Sequence, residues 1–580
     1  MSSIRSVACA LSLLPLLCGA AFDAQAGSGP IYAGSDSAPL DVRAGTPQQT
    51  VCTITVNSAD EKEAFRRHLP AGRYRFVELV ERGRPDWLET ARREGVRCDI
   101  LIISGHYDGG DYAGGNEFFS EHVDTHEFLR VDEMERVACS DPDNGLFSHL
   151  KAVYLFGCNT LNPEALHSEA DIARLLVQSG HAQAEAQRLA HALNVRYADS
   201  SRDRMRHIFK DVPAIYGFSS VAPLGPVAAT YLERYLRAGG ARDVANGRPD
   251  PRVASYFPGH SLTVARGLRD GDVDAGFRAD VCRFVDDRLS PARKVEAIHR
   301  LLERDMAEVR MFVDRMERFT ASLDERTRQQ PDVAEALAAI ADDAAARTRY
   351  LQFLRKVDRP ALRARFVELA GEFAWLSPAG VQGELMRMIG ERYAQSPVTA
   401  ADVDLVCRLN EAHDLAHGLA LLPAPGAEDP GHAAIRACLG SPDDHARVLQ
   451  ALVSPQPSDV QIAQVYLRHH PVDNVAELRG LASGIVGMTD AAAQVRALDA
   501  LAHHRLADRE TLETLTRYFP VAPTLDVQRA IAGILIRSDF DLIDTPELVR
   551  ALRDHRLKSP DGRDLIDVLI RRLDVAQAPA

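Results

Sequence analysis

Short apolar runs alternate with amphipathic stretches over the N-terminal part of the chain. The runs at 51–56, 74–80 and 98–103 contain β-branched residues and end at Gly, Ser, Asn or charged residues. Two further runs of this kind lie at 152–156 and 214–220. Such runs are typical of strands that are buried on both faces of a parallel sheet. The stretches between them have helical periodicity, so the sequence predicts βαβ units around a mostly parallel sheet.

In the second half of the chain the apolar positions recur at helical spacing almost without interruption. Val309 and Phe312, for example, lie on one face of a predicted helix. Toward the C-terminus the helices resemble pairs of the HEAT type, although no strict repeat consensus is present. We therefore predict an α/β domain at 48–240, a linker or irregular extension at 241–289, and an all-α, solenoid-like domain at 290–575.

The first residues have the pattern of a secretory signal peptide. Residues 1–26 combine Arg5, an apolar core at 7–17 and the small-x-small sequence Ala-Gln-Ala at 24–26. The Gly-, Ser- and Pro-containing segment 27–47 has no periodicity and is predicted to be an exposed arm. No later run approaches the roughly 20 apolar residues of a membrane-spanning helix. We expect an exported protein, periplasmic or secreted, without membrane insertion.

The net charge and the length of the chain restrict its possible partners and its number of domains. The chain has 580 residues and a formal net charge of −14, which argues against nucleic acid as a partner. At this length about two to four domains are expected.

The number of cysteines after the predicted signal peptide is odd. Seven of the nine remain, so in an oxidising compartment at least one lacks an intramolecular partner. If the first and third predicted strands are adjacent and parallel, Cys52 and Cys98 both lie where these strands begin, and we predict a disulfide between them. Cys407 and Cys438 are a second candidate pair, between neighbouring helices. The alternative is that all of these cysteines are buried thiols.

One histidine and one cysteine follow two of the predicted strands closely. The apolar run at 100–103 stops just before His106, and the run at 152–156 stops at Gly157 and Cys158. Since ligand sites of parallel sheets lie beyond the carboxyl ends of the strands, both side chains are expected at one edge. An imidazole can take the proton of a thiol and so activate it as a nucleophile. The sequence therefore predicts a Cys/His catalytic site.

This layout, with His first and Cys about 50 residues later, resembles that of caspase-like cysteine peptidases. The pentapeptide Phe-Gly-Cys-Asn-Thr at 156–160 is similar to the active-site strands of CHAT domains and separases. The resemblance covers about 48–240 and implies a caspase-like α/β fold. It further implies an endopeptidase that cleaves protein substrates through Cys158 and His106, without a metal or organic cofactor.

The backbone near the dyad is the predicted oxyanion site. Gly157 permits a sharp turn before the nucleophile, and N–H groups at Gly157, Tyr107 and Gly105 are candidates for binding an oxyanion. Caspase-like relatives usually carry Gly directly after the histidine, where this chain has Tyr107.

Two features of the resemblance concern the substrate. In caspase-like folds the strand after the nucleophile, with its exit loop, helps to form the substrate groove, which implies Tyr216, Phe218 and Ser219 as groove residues. Relatives that cleave after basic residues place an acid two residues before the cysteine. Phe156 occupies that position here.

Three alternatives stay open. Cys158 and His106 can be a core thiol and a loop histidine of an α/β domain without catalysis. Tyr107 in the glycine position favours a degenerate peptidase domain within a scaffold whose helical array binds a protein partner. His122, Asp124 and His126 would share one face of a strand and could ligate zinc, as in a metal-dependent hydrolase.

Overall fold

The computed structural model describes residues 48–577 except at a set of short gaps. These gaps lie at 82–85, 109–115, 121–126, 142, 165–168, 179–180, 198–199, 247–248, 425–428, 503–505, 539–541, 544 and 559–563. The predicted signal peptide and arm at 1–47, and the candidate metal ligands His122, Asp124 and His126, lie outside the described residues.

A six-stranded sheet organises the N-terminal region. The strands of the chain are β1 (Gln49–Thr55), β2 (Tyr74–Glu78), β3 (Ile100–Ser104), β4 (His106–Asp108), β5 (Glu117–Phe119), β6 (Phe128–Arg130), β7 (Ala152–Phe156), β8 (Ala214–Phe218) and β9 (Leu262–Ala265). The large sheet has the order β2-β1-β3-β7-β8-β9, in which the first five strands are parallel and β9 is antiparallel to β8. The predicted mostly parallel sheet is confirmed.

Helices cover both faces of this sheet, which is why its strands are apolar throughout. The helices of this region are α1 (Asp60–His68), α2 (Trp87–Arg93), α3 (Val131–Ser140), α4 (Glu169–Gln178), α5 (Gln183–Arg196), α6 (Ser201–Ile208), α7 (Gly225–Tyr235), α8 (Ala241–Asn246) and α9 (Ala275–Val285). Those that cover the sheet are α1, α7 and α8 on one face and α2, α3 and α6 on the other. Alternate strand residues enter different cores, as the pleat requires. Val51 packs with Phe65 of α1, whereas Cys52 and Ile54 pack with Met134 of α3.

The C-terminal region is all-helical over its described residues, as predicted. Its helices are α10 (Pro291–Leu302), α11 (Met306–Arg310), α12 (Val313–Ser322), α13 (Glu325–Arg328), α14 (Pro331–Asp342), α15 (Ala344–Leu354), α16 (Pro360–Glu372), α17 (Pro378–Tyr393), α18 (Ala400–His413), α19 (Pro430–Cys438), α20 (Pro442–Ala451), α21 (Pro457–His469), α22 (Val475–Val486), α23 (Ala491–Ala502), α24 (Arg509–Tyr518), α25 (Leu525–Arg537), α26 (Thr545–Asp554) and α27 (Leu565–Gln577). Several start with a proline after a serine that caps the helix, as at Ser377 and Ser441.

The segment 241–289, predicted as a linker, contributes regular elements to both regions. It contains β9, which is an edge strand of the large sheet, and α9, whose Phe277 and Phe284 enter the helical core. Ile172 of α4 and Leu193 of α5 belong to the same helical core. The apolar contacts of the helical region therefore extend into helices that precede it in sequence.

Three disulfides and a buried ion pair tie the elements together. Cys52 is bonded to Cys98, Cys139 of α3 to Cys282 of α9, and Cys407 of α18 to Cys438 of α19. The second of these was not paired from the sequence. Arg315 of α12 donates to Glu135 of α3 at 3.1 Å, and both side chains are buried. Within the described residues, every helix is too short or too polar to cross a lipid bilayer.

Candidate active site

The pairing of two central strands brings the predicted dyad to one edge of the sheet. β3 and β7 are adjacent and parallel, and Ser104 is the register partner of Phe156. His106 lies two residues beyond Ser104, and Cys158 lies two residues beyond Phe156. Both side chains therefore leave the sheet at its carboxyl edge, where open α/β sheets bind their ligands.

The two side chains line one small cavity of about 60 Å³. Three parts of the chain surround it: the segment between β1 and α1, the ends of β3 and β7, and the segment between β8 and α7. The lining residues are Asn57, Ser58, Glu61, Gly105, His106, Phe156, Gly157, Cys158, Ala222, Pro223, Leu224 and Gly225. A sulfur and an imidazole that share one cavity can form a nucleophile and its base.

The sulfur of Cys158 is held but still accessible. It is half-buried, and the backbone N–H of Ala222 donates to it at 3.3 Å. Of the seven cysteines within the described residues, Cys158 is the one that forms no disulfide. A free thiol beside a histidine in a cavity is available for nucleophilic chemistry, whereas the six other sulfurs are not.

Each residue after β7 in the Phe-Gly-Cys-Asn-Thr pentapeptide has a structural reason. A Cβ atom at Gly157 would lie 2.8 Å from the Tyr107 Cβ, so only glycine fits this close to Tyr107. Asn159 has a φ of 58°, a left-handed conformation that asparagine tolerates better than most residues. The hydroxyl of Thr160 donates to the Gly157 carbonyl at 3.1 Å and accepts from the Phe218 N–H at 3.0 Å. The loop that carries the nucleophile is thereby fixed to β8.

Tyr107, the residue after His106, belongs to a second sheet. β4, β5 and β6 form this three-stranded antiparallel sheet. Tyr107 is buried there, its ring lies 4.9 Å from that of Phe118, and its hydroxyl donates to Asn116 at 2.7 Å. Its side chain therefore packs behind the site instead of blocking the cavity.

One of the predicted oxyanion donors, the N–H of Gly105, is engaged in the large sheet. The N–H of Gly105 donates to the Phe156 carbonyl at 3.2 Å and continues the β3–β7 ladder, so this group is already used. The N–H of Cys158 donates to no backbone carbonyl in the part of the chain that the structure describes. That amide is thus a better candidate for an oxyanion than Gly105.

The predicted groove residues lie mostly in the core. Tyr216 and Phe218 are buried, and the Tyr216 ring stacks on Tyr154 at 4.6 Å between centroids. Ser219 is only partly buried, and its N–H donates to the Ser261 carbonyl at 3.0 Å. The reason is topological: β8 lies between β7 and β9 with helices on both faces, so its side chains enter the two cores. The wall of the cavity is formed instead by the following segment, 222–225.

Sequence reasoning missed Glu61, the acidic residue of the cavity. It lies in the first turn of α1 and is only 3% exposed. Burial raises the pKa of its carboxyl from 4.5 to about 7, because the charged form loses hydration. An acid in the first turn of an amphipathic helix is ordinarily a surface residue, so the pattern of 60–68 does not indicate this burial.

Glu61 is expected to make the protein less stable as pH rises from about 4.5 to about 7. In this window the folded state keeps a proton that the unfolded state loses, so the stabilisation is complete below the unfolded pKa and disappears above the folded one. Glu61→Gln has no such titration. The free energy of unfolding of Glu61→Gln minus that of wild type should therefore be about 3 kcal/mol larger at mildly alkaline pH than at acidic pH. Urea unfolding of both proteins at the two pH values measures this change. If the difference were the same at both pH values, the raised pKa of Glu61 would be contradicted.

A group with metal-ligand spacing lies elsewhere in the described part of the chain. The side-chain ligand atoms of Cys407, Cys438 and His470 lie within 4.8 Å of one another. The two sulfurs form the disulfide between α18 and α19, which leaves His470 as the one available ligand. This arrangement does not favour metal binding while the disulfide is intact.

Comparison of the chain with protein-family models, with curated proteins and with solved structures finds no match.

Proposed function

We propose that the chain is a cysteine endopeptidase that uses Cys158 as nucleophile and His106 as acid and base. The observation that carries the proposal is the register of β3 and β7, which delivers a free thiol and an imidazole to the lining of one cavity. The order of the two residues, the parallel strands and the pentapeptide at 156–160 support the finer assignment to the caspase-like class. The three disulfides support an oxidising compartment and hence export.

The reaction follows from these two groups. The His106 imidazole takes the proton of the Cys158 thiol, and the sulfur attacks the carbonyl carbon of the scissile bond. The backbone N–H of Cys158 binds the negatively charged oxygen of the tetrahedral intermediate. His106 then gives its proton to the departing amine, which leaves the acyl group on sulfur. Water, deprotonated by His106, hydrolyses the thioester and regenerates the thiol.

Alkylation tests the activated thiol without knowledge of the substrate. The mature, oxidised protein is treated with iodoacetamide at neutral pH, and the modified residue is mapped by mass spectrometry. We expect a single adduct at Cys158, formed at least about tenfold more slowly in the His106→Gln variant, because the imidazole no longer promotes the thiolate.

His149→Gln is the matched control, since His149 is exposed and precedes β7, at the opposite edge of the sheet. This variant should react at the wild-type rate. An unreactive Cys158 in natively folded protein would refute the peptidase proposal, and so would equal rates for His106→Gln and wild type.

A second function, protein binding, is favoured by one feature of the helical region. A groove of about 760 Å³ lies between α12, α16, α17 and α18. Its acidic lining residues are Glu317, Glu368, Glu372, Glu411 and Asp414. A groove of this volume has room for a segment of a protein partner, either as a scaffold or in presenting substrate to the peptidase site. Retention of partner binding by Cys158→Ala would separate this role from catalysis.

A further inference from the structure

The cavity that holds the dyad also contains a buried acid with an unused oxygen. Glu61 lines the cavity together with Cys158 and His106. Its side chain is almost fully buried. Its own backbone N–H and the Ser104 hydroxyl act on the carboxyl, but its Oε2 accepts no hydrogen bond from the residues that the structure describes. A buried polar atom without a partner costs free energy, and its presence beside a nucleophile points to a partner supplied by the substrate.

The charge of that missing partner follows from the lining of the cavity. Among the described residues, no Lys or Arg lines it. The described lining therefore supplies no permanently charged side chain to pair with the Glu61 carboxylate. A cationic group that enters would form a charge-assisted hydrogen bond with Glu61 in a site of low water content.

The size and walls of the cavity restrict which cation fits. A volume of about 60 Å³ has room for about four to six water-sized groups. Phe156, Pro223 and Leu224 give it apolar walls. A lysine side chain, with a four-carbon stem and a compact ammonium, matches both features, whereas the planar fork of arginine is broader.

We propose that Glu61 is a specificity-determining residue and that it binds the ammonium of a lysine side chain on the residue that precedes the scissile bond. This inference rests on the proposed peptidase function and names its substrate class. The acid comes from the first turn of α1, on the wall of the cavity that also holds Cys158.

The same pairing makes lysine recognition dependent on pH. The pKa of Glu61 is raised by burial to about 7, and the neighbouring Asp60 carboxyl also raises it. An ammonium favours the ionised carboxylate, so recognition strengthens as pH rises through this value. His106 and Cys158 line the same cavity, but they act on every substrate. The ratio of rates for two substrates that differ only at the recognised side chain therefore reports on Glu61.

The test uses two irreversible peptidyl chloromethyl ketones, identical except for lysine or norleucine at the recognised position. The Cys158 sulfur displaces chloride from either reagent, which forms a thioether, and mass spectrometry gives the rate of adduct formation. We expect wild type to prefer the lysine reagent by at least about 100-fold near pH 8. Glu61→Gln should lower this ratio at least about tenfold, because a neutral amide does not form an ion pair with the ammonium.

Glu63→Gln is the matched control, because Glu63 lies on the same helix but is not part of the cavity lining. Its ratio should equal that of wild type. Lysine recognition would be overturned by a wild-type ratio near one or by an unchanged ratio in Glu61→Gln. It would also be overturned if Cys158 reacted with iodoacetamide but with neither ketone. Each of these results would still be consistent with an activated thiol. Absence of reaction with iodoacetamide would instead refute the peptidase function itself.

Discussion

Replacement of Cys158 by alanine is expected to lower kcat/KM for peptide-bond cleavage by at least about a thousandfold, because its sulfur forms the covalent bond to the acyl group. The folded state should change little in stability, since the side chain is half-buried and its sulfur accepts a hydrogen bond from the Ala222 N–H. Cleavage of fluorogenic lysyl peptides and of a denatured protein substrate measures the first effect, and urea unfolding measures the second.

Cys158→Ser provides the control for geometry, because it keeps the shape of the side chain but removes the thiol. It should be about as inactive as the alanine variant, since a hydroxyl loses its proton far less readily. Retention of more than about a tenth of the wild-type kcat/KM by Cys158→Ala would show that another group is the nucleophile.

Replacement of Arg315 by methionine is expected to destabilise the protein by about 3–5 kcal/mol. Its guanidinium lies 5.3 Å from the ring centroid of Phe277 and donates to Glu135, whose carboxylate would be left buried without its cation. The double variant Glu135→Leu, Arg315→Met should recover most of the loss, because no buried charge remains. Chemical denaturation followed by circular dichroism measures all three free energies of unfolding.

Arg318 offers a matched control on the same pair of helices. It forms an ion pair with Asp132 at 3.3 Å, but the two side chains are 51% and 38% exposed. Water and salt screen such a pair, so Arg318→Met should cost less than about 1 kcal/mol. Equal losses for Arg315→Met and Arg318→Met would contradict the view that burial sets the importance of the pair.

The large sheet could be predicted because its strands are buried on both faces and are therefore apolar along their length. The run 152–156 coincides with β7, and the runs that contain β1 and β3 overlap those strands within about two residues. β4, β5 and β6 were not predicted, since strands of three residues exist through pairing with each other and have no periodicity of their own.

Of the candidate site, only the residues whose positions are set by the pairing of strands could be predicted. His106 and Cys158 follow strands that pair directly, so their meeting depends on a register that the sequence suggests. Glu61 depends on how α1 packs over the edge of the sheet, and Tyr216 on whether β8 is a central or an edge strand. These are properties of tertiary packing, which local patterns do not specify.

The shared core of α4, α5, α9 and the later helices has a consequence for how this protein can evolve. Ile172, Leu193 and Phe277 are covered by residues that lie beyond position 290. A recombination event that separated the two regions at that point would expose apolar surface on both products, and each would tend to aggregate. We therefore expect the two regions to be retained together, and substitutions in the shared core to be constrained by the residues that they contact from the other region.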